Sequence, residues 1–335
     1  GRLGLPFCFF LASKGYKVFG YDKIQTINTN IINNKKNFEP KLNHYIKKYK
    51  NKFYFENSIK NLIKKTNTTF LVLPTPSQKN GSFSNNYIYK CLKELSAFIK
   101  LKKNKKHKII ITSTTSPGSC EKFIIYLEKM GLKNNYDFSI VYNPHFIAQG
   151  TTIENLEKPD LILVGTDNNK TKSEINNFYN KIYKRKVVIK NTNFKEGEIS
   201  KIAINCYITT KISFANFISE LSEKSKNTDA KKILDAIGQD KRIGHSYLKV
   251  GTKFSGPCFP RDNYALINYS RNQGLNPFIA KATNQTNSQQ SNRILKIIKK
   301  ISKNNKLKLS LGICGLTYKS DTNLILDSQG DSLIK

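Results

Sequence analysis

The strongest constraint on this chain is an alternation, through its first half, of short β-rich runs with helical stretches. The runs are Lys17-Val18-Phe19-Gly20-Tyr21, Thr69-Phe70-Leu71-Val72-Leu73, Lys108-Ile109-Ile110-Ile111-Thr112, Ser139-Ile140-Val141-Tyr142 and Leu161-Ile162-Leu163-Val164. Strands separated by helices are joined by crossovers rather than hairpins, so the alternation predicts parallel βαβ units and a doubly wound α/β sheet. From about Lys195 the texture changes. Glu196 to Ser225 reads as one helix, with Ile199, Ile202, Ala203, Cys206, Ile212 and Phe217 at helical spacing. More helix follows the Pro260 turn, interrupted at Gly274–Pro277, and runs towards Ile301. A strand over Leu307–Ile313 then opens what reads as a further α/β unit. The expected domains are 1–193 (α/β), 194–303 (all-helical) and 304–335, the start of a second α/β domain. The chain begins inside a glycine turn and stops soon after a strand. A lone strand cannot bury its faces, so the first strand and most of the last domain are expected to be missing.

Charge invites a different reading. The 335 residues carry 57 Lys and Arg against 23 Asp and Glu, a formal net charge of +34. Such a balance is the electrostatic footprint of nucleic-acid binders. Yet only six of the 57 are Arg, and the lysines are scattered through every segment, as in Lys102-Lys103-Asn104-Lys105-Lys106. Lys, Asn and Ile have A/T-rich codons, so coding bias accounts for the excess, and no nucleic-acid partner is expected. An anionic small-molecule substrate suits the same surface. No apolar run approaches the ~20 residues of a membrane span, and no secretory signal is visible, so a cytoplasmic protein without membrane attachment is expected. The six cysteines lack CxxC spacing and the four His are dispersed, so no metal site is expected.

Four segments carry chemistry. Gly1-Arg2-Leu3-Gly4, an apolar helix and a strand ending at Asp22 have the logic of a dinucleotide site. A glycine turn admits a pyrophosphate to a helix N-terminus, and the acid accepts from ribose hydroxyls. An ordinary strand–helix turn would look similar. Leu73-Pro74-Thr75-Pro76 and Ser113-Thr114-Thr115-Ser116-Pro117-Gly118 each follow a strand, where the ligand crevice of such sheets lies. Phe254-Ser255-Gly256-Pro257-Cys258-Phe259-Pro260-Arg261-Asp262 sets a cysteine on a rigid, irregular loop beside a cation that favours its thiolate. A thiolate there can add to an aldehyde, and the adduct can lose hydride to become a thioester. A lone cysteine is more often buried filler.

In order along the chain, these segments resemble the UDP-glucose/GDP-mannose dehydrogenase family. Gly1–Pro6 is similar to the end of its GxGxxGLP turn, Leu73–Pro76 to its V-x-TPT loop and Ser113–Gly118 to its STVPPG loop. Tyr142-Asn143-Pro144-His145-Phe146-Ile147-Ala148-Gln149-Gly150 resembles NPEFLxEG. Lys201 and Asn205 match its Lys-xxx-Asn pair, Asp240–Gly244 its D-x-RIG turn, Gly256–Asp262 its GG-x-CFPKD loop, and Gly315–Lys319 with Asp321-Thr322 its GLxFKxxTDD segment. The resemblance implies a Rossmann-like NAD domain, a central helical dimerisation domain forming a homodimer, and four-electron oxidation of a nucleotide sugar to a uronic acid.

It also implies roles. Cys258 is the nucleophile, Lys201 and Asp262 handle protons and a water that Thr114 helps hold, and Asn205 with Lys201 stabilises the oxyanion. NAD lies near Gly1, Gly4, Asp22, Pro74, Thr75, Ser113, Thr114, Gln149 and Arg261. Substrate contacts fall to Phe146, Lys201, Asn205, Lys249, Phe254, Gly256, Tyr318 and Lys319, with Arg242 reaching a neighbouring subunit's substrate. Departures are His145 where the family has Glu, Gln149 for another acid, Lys253 and Ser255 among the loop glycines, and Leu326 where many members have Arg. A neutral His145 could act as a general base near pH 7. UDP-glucose is the leading sugar; UDP-N-acetylhexosamine and GDP-mannose stay open. So do a two-electron dehydrogenase with a dispensable Cys258, a basic binding protein and an inactive relative.

Overall fold

Ile109, Ile110 and Ile111 follow one another and all three are fully buried. Alternate residues of a strand face opposite sides, so such a run requires cover on both faces. The computed structural model supplies it. It describes residues 1–24, 39–102, 106–183, 186–304, 310–319, 322–325 and 327–335, which divide into two units: Gly1–Gln78 with Phe83–Lys201, and Lys79–Ser82 with Ile202–Lys335.

The first unit is α/β. Strands β1 (Val18–Gly20) and β2 (Phe53–Phe55) pair in parallel. Strands β3 (Thr68–Leu71), β4 (His107–Ile111), β5 (Phe138–Tyr142), β6 (Ile162–Gly165) and β7 (Ile189–Thr192) form a second sheet in that order. The helices are α1 (Gly4–Ser13), α2 (Leu42–Tyr49), α3 (Ile59–Lys65), α4 (Asn86–Ile99), α5 (Ser119–Lys129), α6 (Thr152–Glu157) and α7 (Asn169–Ile182). Ile109 and Ile111 of β4 pack with α3, α4 and α5. Ile110 turns the other way, to Phe7 and Phe10 of α1 and Ile175 and Tyr179 of α7. Helix α4 follows the same logic, burying Ile88, Leu92, Leu95 and Ile99 at 3.6-residue periodicity. Each such side chain contributes roughly 1.5–3 kcal/mol of burial.

The five strands read from the sequence are all present, displaced by a residue or two. Strands β2 and β7 were not expected. One pairing departs from the expected parallel sheet: β6 runs antiparallel to β5, joined at Tyr142 and Gly165. A β-rich run reveals that a strand exists, but its direction is set by the connection leading into it.

The second unit is helical. Helix α8 (Phe194–Lys224) begins in the first unit and continues into this one, followed by α9 (Ala230–Gln239), α10 (Phe259–Asn272), α11 (Phe278–Asn304) and α12 (Gln329–Ile334). Asp229 caps α9, its carboxylate accepting from the Lys231 and Lys232 amides at 2.7 and 3.4 Å. Ala215, Leu234 and Leu248 form a small apolar core. Much of the interior is polar: Thr209, Ser213, Asn216, Asn263, Thr283 and Gln290 are all buried. Phe217, expected on the inner face, is 53% exposed. Of the strand expected at Leu307–Ile313, residues 307–309 lie outside the described residues and 310–313 are irregular. A strand exists only by pairing, and no pairing to 310–313 is found among the described residues.

Candidate active site

Cys258 occupies the position just before α10, with Pro260 in the first turn, where its missing N–H costs nothing. Its thiol is exposed. The positive end of a 14-residue helix favours a thiolate there. The loop before it is held by side-chain amides. Asn287 clasps Phe254 twice, accepting from its N–H at 2.7 Å and donating to its carbonyl at 2.9 Å. Asn216 accepts from the Gly251 N–H at 3.1 Å and donates to the Thr252 carbonyl at 3.2 Å, while Gln290 donates to the Gly251 carbonyl at 2.7 Å. Lys253 adds an ion pair to Asp327 at 2.7 Å. Gly256 has φ +83°, and a Cβ there would sit 2.5 Å from the Tyr318 ring. Glycine is required on both counts.

Below the thiol's helix turn, Asp262 is 1% exposed and accepts from the Asn205 side-chain amide at 2.6 Å. Arg261 reaches the same carboxylate, Nε to Oδ1 at 3.7 Å. Buried Asn263 donates to Thr209 Oγ1 at 2.8 Å and to the Phe259 carbonyl at 3.0 Å, fixing α10 against α8. Burial, aided by the Asp262 charge, pushes the Cys206 thiol up to about 12. Cys206 is therefore an inert thiol and Cys258 the accessible one.

In the first unit, Lys201 Nζ donates to the His145 carbonyl at 2.8 Å and lies 4.4 Å from the centre of the Phe146 ring. Lys201 and Asn205 stand one helical turn apart on α8 and so share a face. The His145 ring packs edge-on to Phe7, centroids 4.5 Å apart. Burial, then the Lys201 charge, lowers its pKa to about 3. The ring is therefore neutral at pH 7 and a weaker base than an ordinary imidazole.

The glycine turn and the acid come together at the chain's start. The Gly1 amino nitrogen is 3.2 Å from Asp22 Oδ2, and Arg2 Nη1 donates to Gln149 Oε1 at 3.4 Å. The loops after β3 and β4 are stitched to each other. Ser113 Oγ accepts from the Leu73 N–H at 2.9 Å and donates to the Leu73 carbonyl at 2.7 Å, and Thr75 Oγ1 donates to the Thr114 carbonyl at 2.7 Å. Asp22 and the two hydroxyl-rich loops thus follow the carboxyl ends of parallel strands, and the glycine turn opens α1. These residues fit a dinucleotide. Pro74 is exposed on the same loop.

The remaining expected residues scatter over the second unit. Arg242 is 88% exposed and held by its own turn, Nη2 to Asp240 Oδ2 at 2.6 Å. Lys249 lines an open groove of about 660 Å³ with Ile212, His245, Ser246 and Tyr247. The Lys319 carbonyl accepts from Thr317 and Thr322. Asp321 and Leu326 lie outside the described residues. Unforeseen were the amides Asn216, Asn287 and Gln290, and a fully buried acid, Glu198, in the first unit. Among the described residues no cluster of three or more His, Cys, Asp or Glu could hold a metal ion, and no helix is long and apolar enough to cross a membrane.

Comparison with known proteins gives this geometry a context. Residues 1–185 match the NAD binding domain of the UDP-glucose/GDP-mannose dehydrogenase family and residues 195–289 match its central domain. The chain is 31% identical to the UDP-glucose 6-dehydrogenase of Rickettsia conorii over 342 residues, spanning 100% of this chain and 76% of that protein. It is 27% identical to UDP-glucose 6-dehydrogenase TuaD of Bacillus subtilis, spanning 96% and 68%. Among solved structures, a UDP-glucose dehydrogenase from Pyrobaculum islandicum superposes with a TM-score of 0.88 at 26% identity, covering 99% of this chain and 76% of that one.

Proposed function

Because the chain belongs to the UDP-glucose/GDP-mannose dehydrogenase family of NAD-dependent nucleotide-sugar dehydrogenases, we propose that it oxidises C6 of UDP-glucose to the carboxylate through a covalent adduct on Cys258. The observation that carries this reading is an exposed thiol at a helix N-terminus, on a pinned loop, four residues before a buried Asp262–Asn205 pair. NAD would be held by Gly1, Gly4, Asp22, Pro74, Thr75, Ser113, Thr114, Gln149 and Arg261, and when bound would supply the hydride acceptor. Asp262 takes up the hydroxyl proton through a water that Lys201 and Thr114 help hold. The Cys258 thiolate then adds to the aldehyde carbon to give a thiohemiacetal, whose oxyanion Lys201 and Asn205 stabilise. Loss of a second hydride, to a second NAD taken up after the first NADH leaves, gives a thioester, and water cleaves that to the free acid and the thiol. Proton removal in that last step is assigned to Asp262, with Lys201 holding the water.

Phe146, Lys249, Phe254, Gly256, Tyr318 and Lys319 are assigned to the substrate. The proposed domains, 1–193, 194–303 and 304–335, subdivide the two units, the last two falling in the second apart from residues 194–201. A homodimer through α8 is supported by Tyr207, Phe214, Phe217 and Leu221, which are 45–68% exposed and line one side of that helix. Arg242, exposed beside Asp240, is assigned to a partner's substrate. A cytoplasmic setting accords with a nucleotide-sugar substrate.

The test is stoichiometry over a panel of UDP-glucose, UDP-N-acetylhexosamines and GDP-mannose. Two NADH per UDP-glucose, lost in Cys258→Ser while NAD binding persists, is expected. Full turnover by that variant would overturn the covalent route. Preference for another sugar would overturn the choice of UDP-glucose.

A further inference from the structure

A carboxylate in the middle of a protein requires a reason, because burying an ion without partners costs several kcal/mol. Glu198 is 0% exposed. Its Oε1 accepts from the Thr115 hydroxyl at 3.1 Å and the Cys120 N–H at 2.9 Å, and its Oε2 accepts from the Gly118 N–H at 2.6 Å. Three donors on two oxygens match an ionised carboxylate, and they come from the loop after β4 and the first turn of α5, where the helix presents its positive end. Burial raises the Glu198 pKa, while these hydrogen bonds pull it back.

The other end of this side chain is equally placed. Glu198 lies on α8, one turn before Lys201. Gly197 beside it brings the helix hard against the sheet: a Cβ there would lie 3.0 Å from Thr192 Oγ1 and 3.2 Å from the Tyr142 ring. One carboxylate therefore fastens the segment bearing Ser113 and Thr114 to the helix bearing Lys201.

We propose that Glu198 is a positioning residue that locks the Ser113–Gly118 loop in its NAD-binding geometry and sets that loop against the Lys201 helix. This rests on the reading above that Ser113 and Thr114 lie beside NAD. Glu198 touches neither cofactor nor substrate and acts through the loop.

Glu198→Gln keeps the side chain's size but removes its charge and one acceptor, leaving at least one loop donor unmatched. Calorimetric titration with NAD should show Kd raised about tenfold or more, the loss of one charge-assisted hydrogen bond. KM for NAD should rise in step while KM for the nucleotide sugar stays within twofold. Amide exchange should quicken at Gly118 and Cys120. A folded Glu198→Gln with unchanged NAD affinity, or with both KM values rising together, overturns the proposal. Should that variant fail to fold, Thr115→Val removes a single donor, and about threefold weaker NAD binding is expected; unchanged binding would again overturn it. A chain that binds NAD yet oxidises no nucleotide sugar would sink the proposed function and still leave Glu198 to be judged by calorimetry.

Discussion

His107 opens β4 with 0% exposure, its Nε2 2.8 Å from Thr69 Oγ1. Burial first, then the charges of Lys102 and Lys108, lowers its pKa to about 3. An unfolded histidine titrates near 6.5, so below that value the unfolded chain binds a proton that the folded one refuses. The folded pKa is depressed, so stability from neutral His107 is complete well above 6.5 and is lost as pH falls from there towards about 3. At pH 5 the unfolded form is favoured by protonation about thirtyfold, or about 2 kcal/mol relative to pH 7. This figure scarcely depends on how low the folded pKa lies, provided it is well under 5. The substitution is His107→Gln, which keeps a polar atom for Thr69 and cannot titrate. Both proteins should be unfolded in urea at several pH values and followed by circular dichroism, since the chain has no Trp to report. The gap in unfolding free energy between wild type and variant should shift by about 2 kcal/mol in the variant's favour from pH 7 to 5. His145 and every carboxylate are common to both, so their contributions cancel. Parallel stability curves across that range would refute the account of a neutral buried His107.

Gly256→Ala should cost roughly 2–4 kcal/mol, combining a left-handed backbone with a Cβ pressed into Tyr318. Adding Tyr318→Ala should recover the steric part alone; a double variant no more stable than Gly256→Ala would contradict that division. Phe217→Glu, on the exposed stripe of α8, should turn a dimer into monomers in sedimentation analysis, and an intact dimer would remove that helix face from the interface.

Strand positions were legible wherever β-branched residues run together, as at Ile109–Ile111, because continuous burial demands an unbroken apolar run. Strand β7 was not, since Ile189-Lys190-Asn191-Thr192 holds its place by backbone pairing with β6 and little apolar burial. The helical unit's interior was obscured for a similar reason: Thr209, Asn216 and Gln290 are satisfied by hydrogen bonds that leave no hydropathy signal. At the candidate site, Cys258 stood out through its Gly-Pro and Phe-Pro neighbours. Asn287 did not, because asparagine is so abundant in this chain that one more carries no contrast. Nothing in the sequence sets Glu198 apart from any other acid on a helix, and only the fold brings Thr115, Gly118 and Cys120 to it. His145 was found by its place in a motif, but the Phe7 ring that packs against it arrives from another element.

The side-chain amides around Gly251, Thr252 and Phe254 are dipoles and not ions. Dipolar hydrogen bonds in a protein interior have no long-range field for dissolved salt to screen, whereas interactions across a surface of net charge +34 fade over a Debye length of about 8 Å at physiological ionic strength. Nor do Asn216, Asn287 or Gln290 titrate. Apart from the Lys253–Asp327 and Arg261–Asp262 ion pairs, the loop that seats the Cys258 thiol is thus held by contacts that neither ionic strength nor acidity reaches. Changes in solvent would reach its reactivity chiefly through the thiol's own ionisation, while the loop that aims it stays in place.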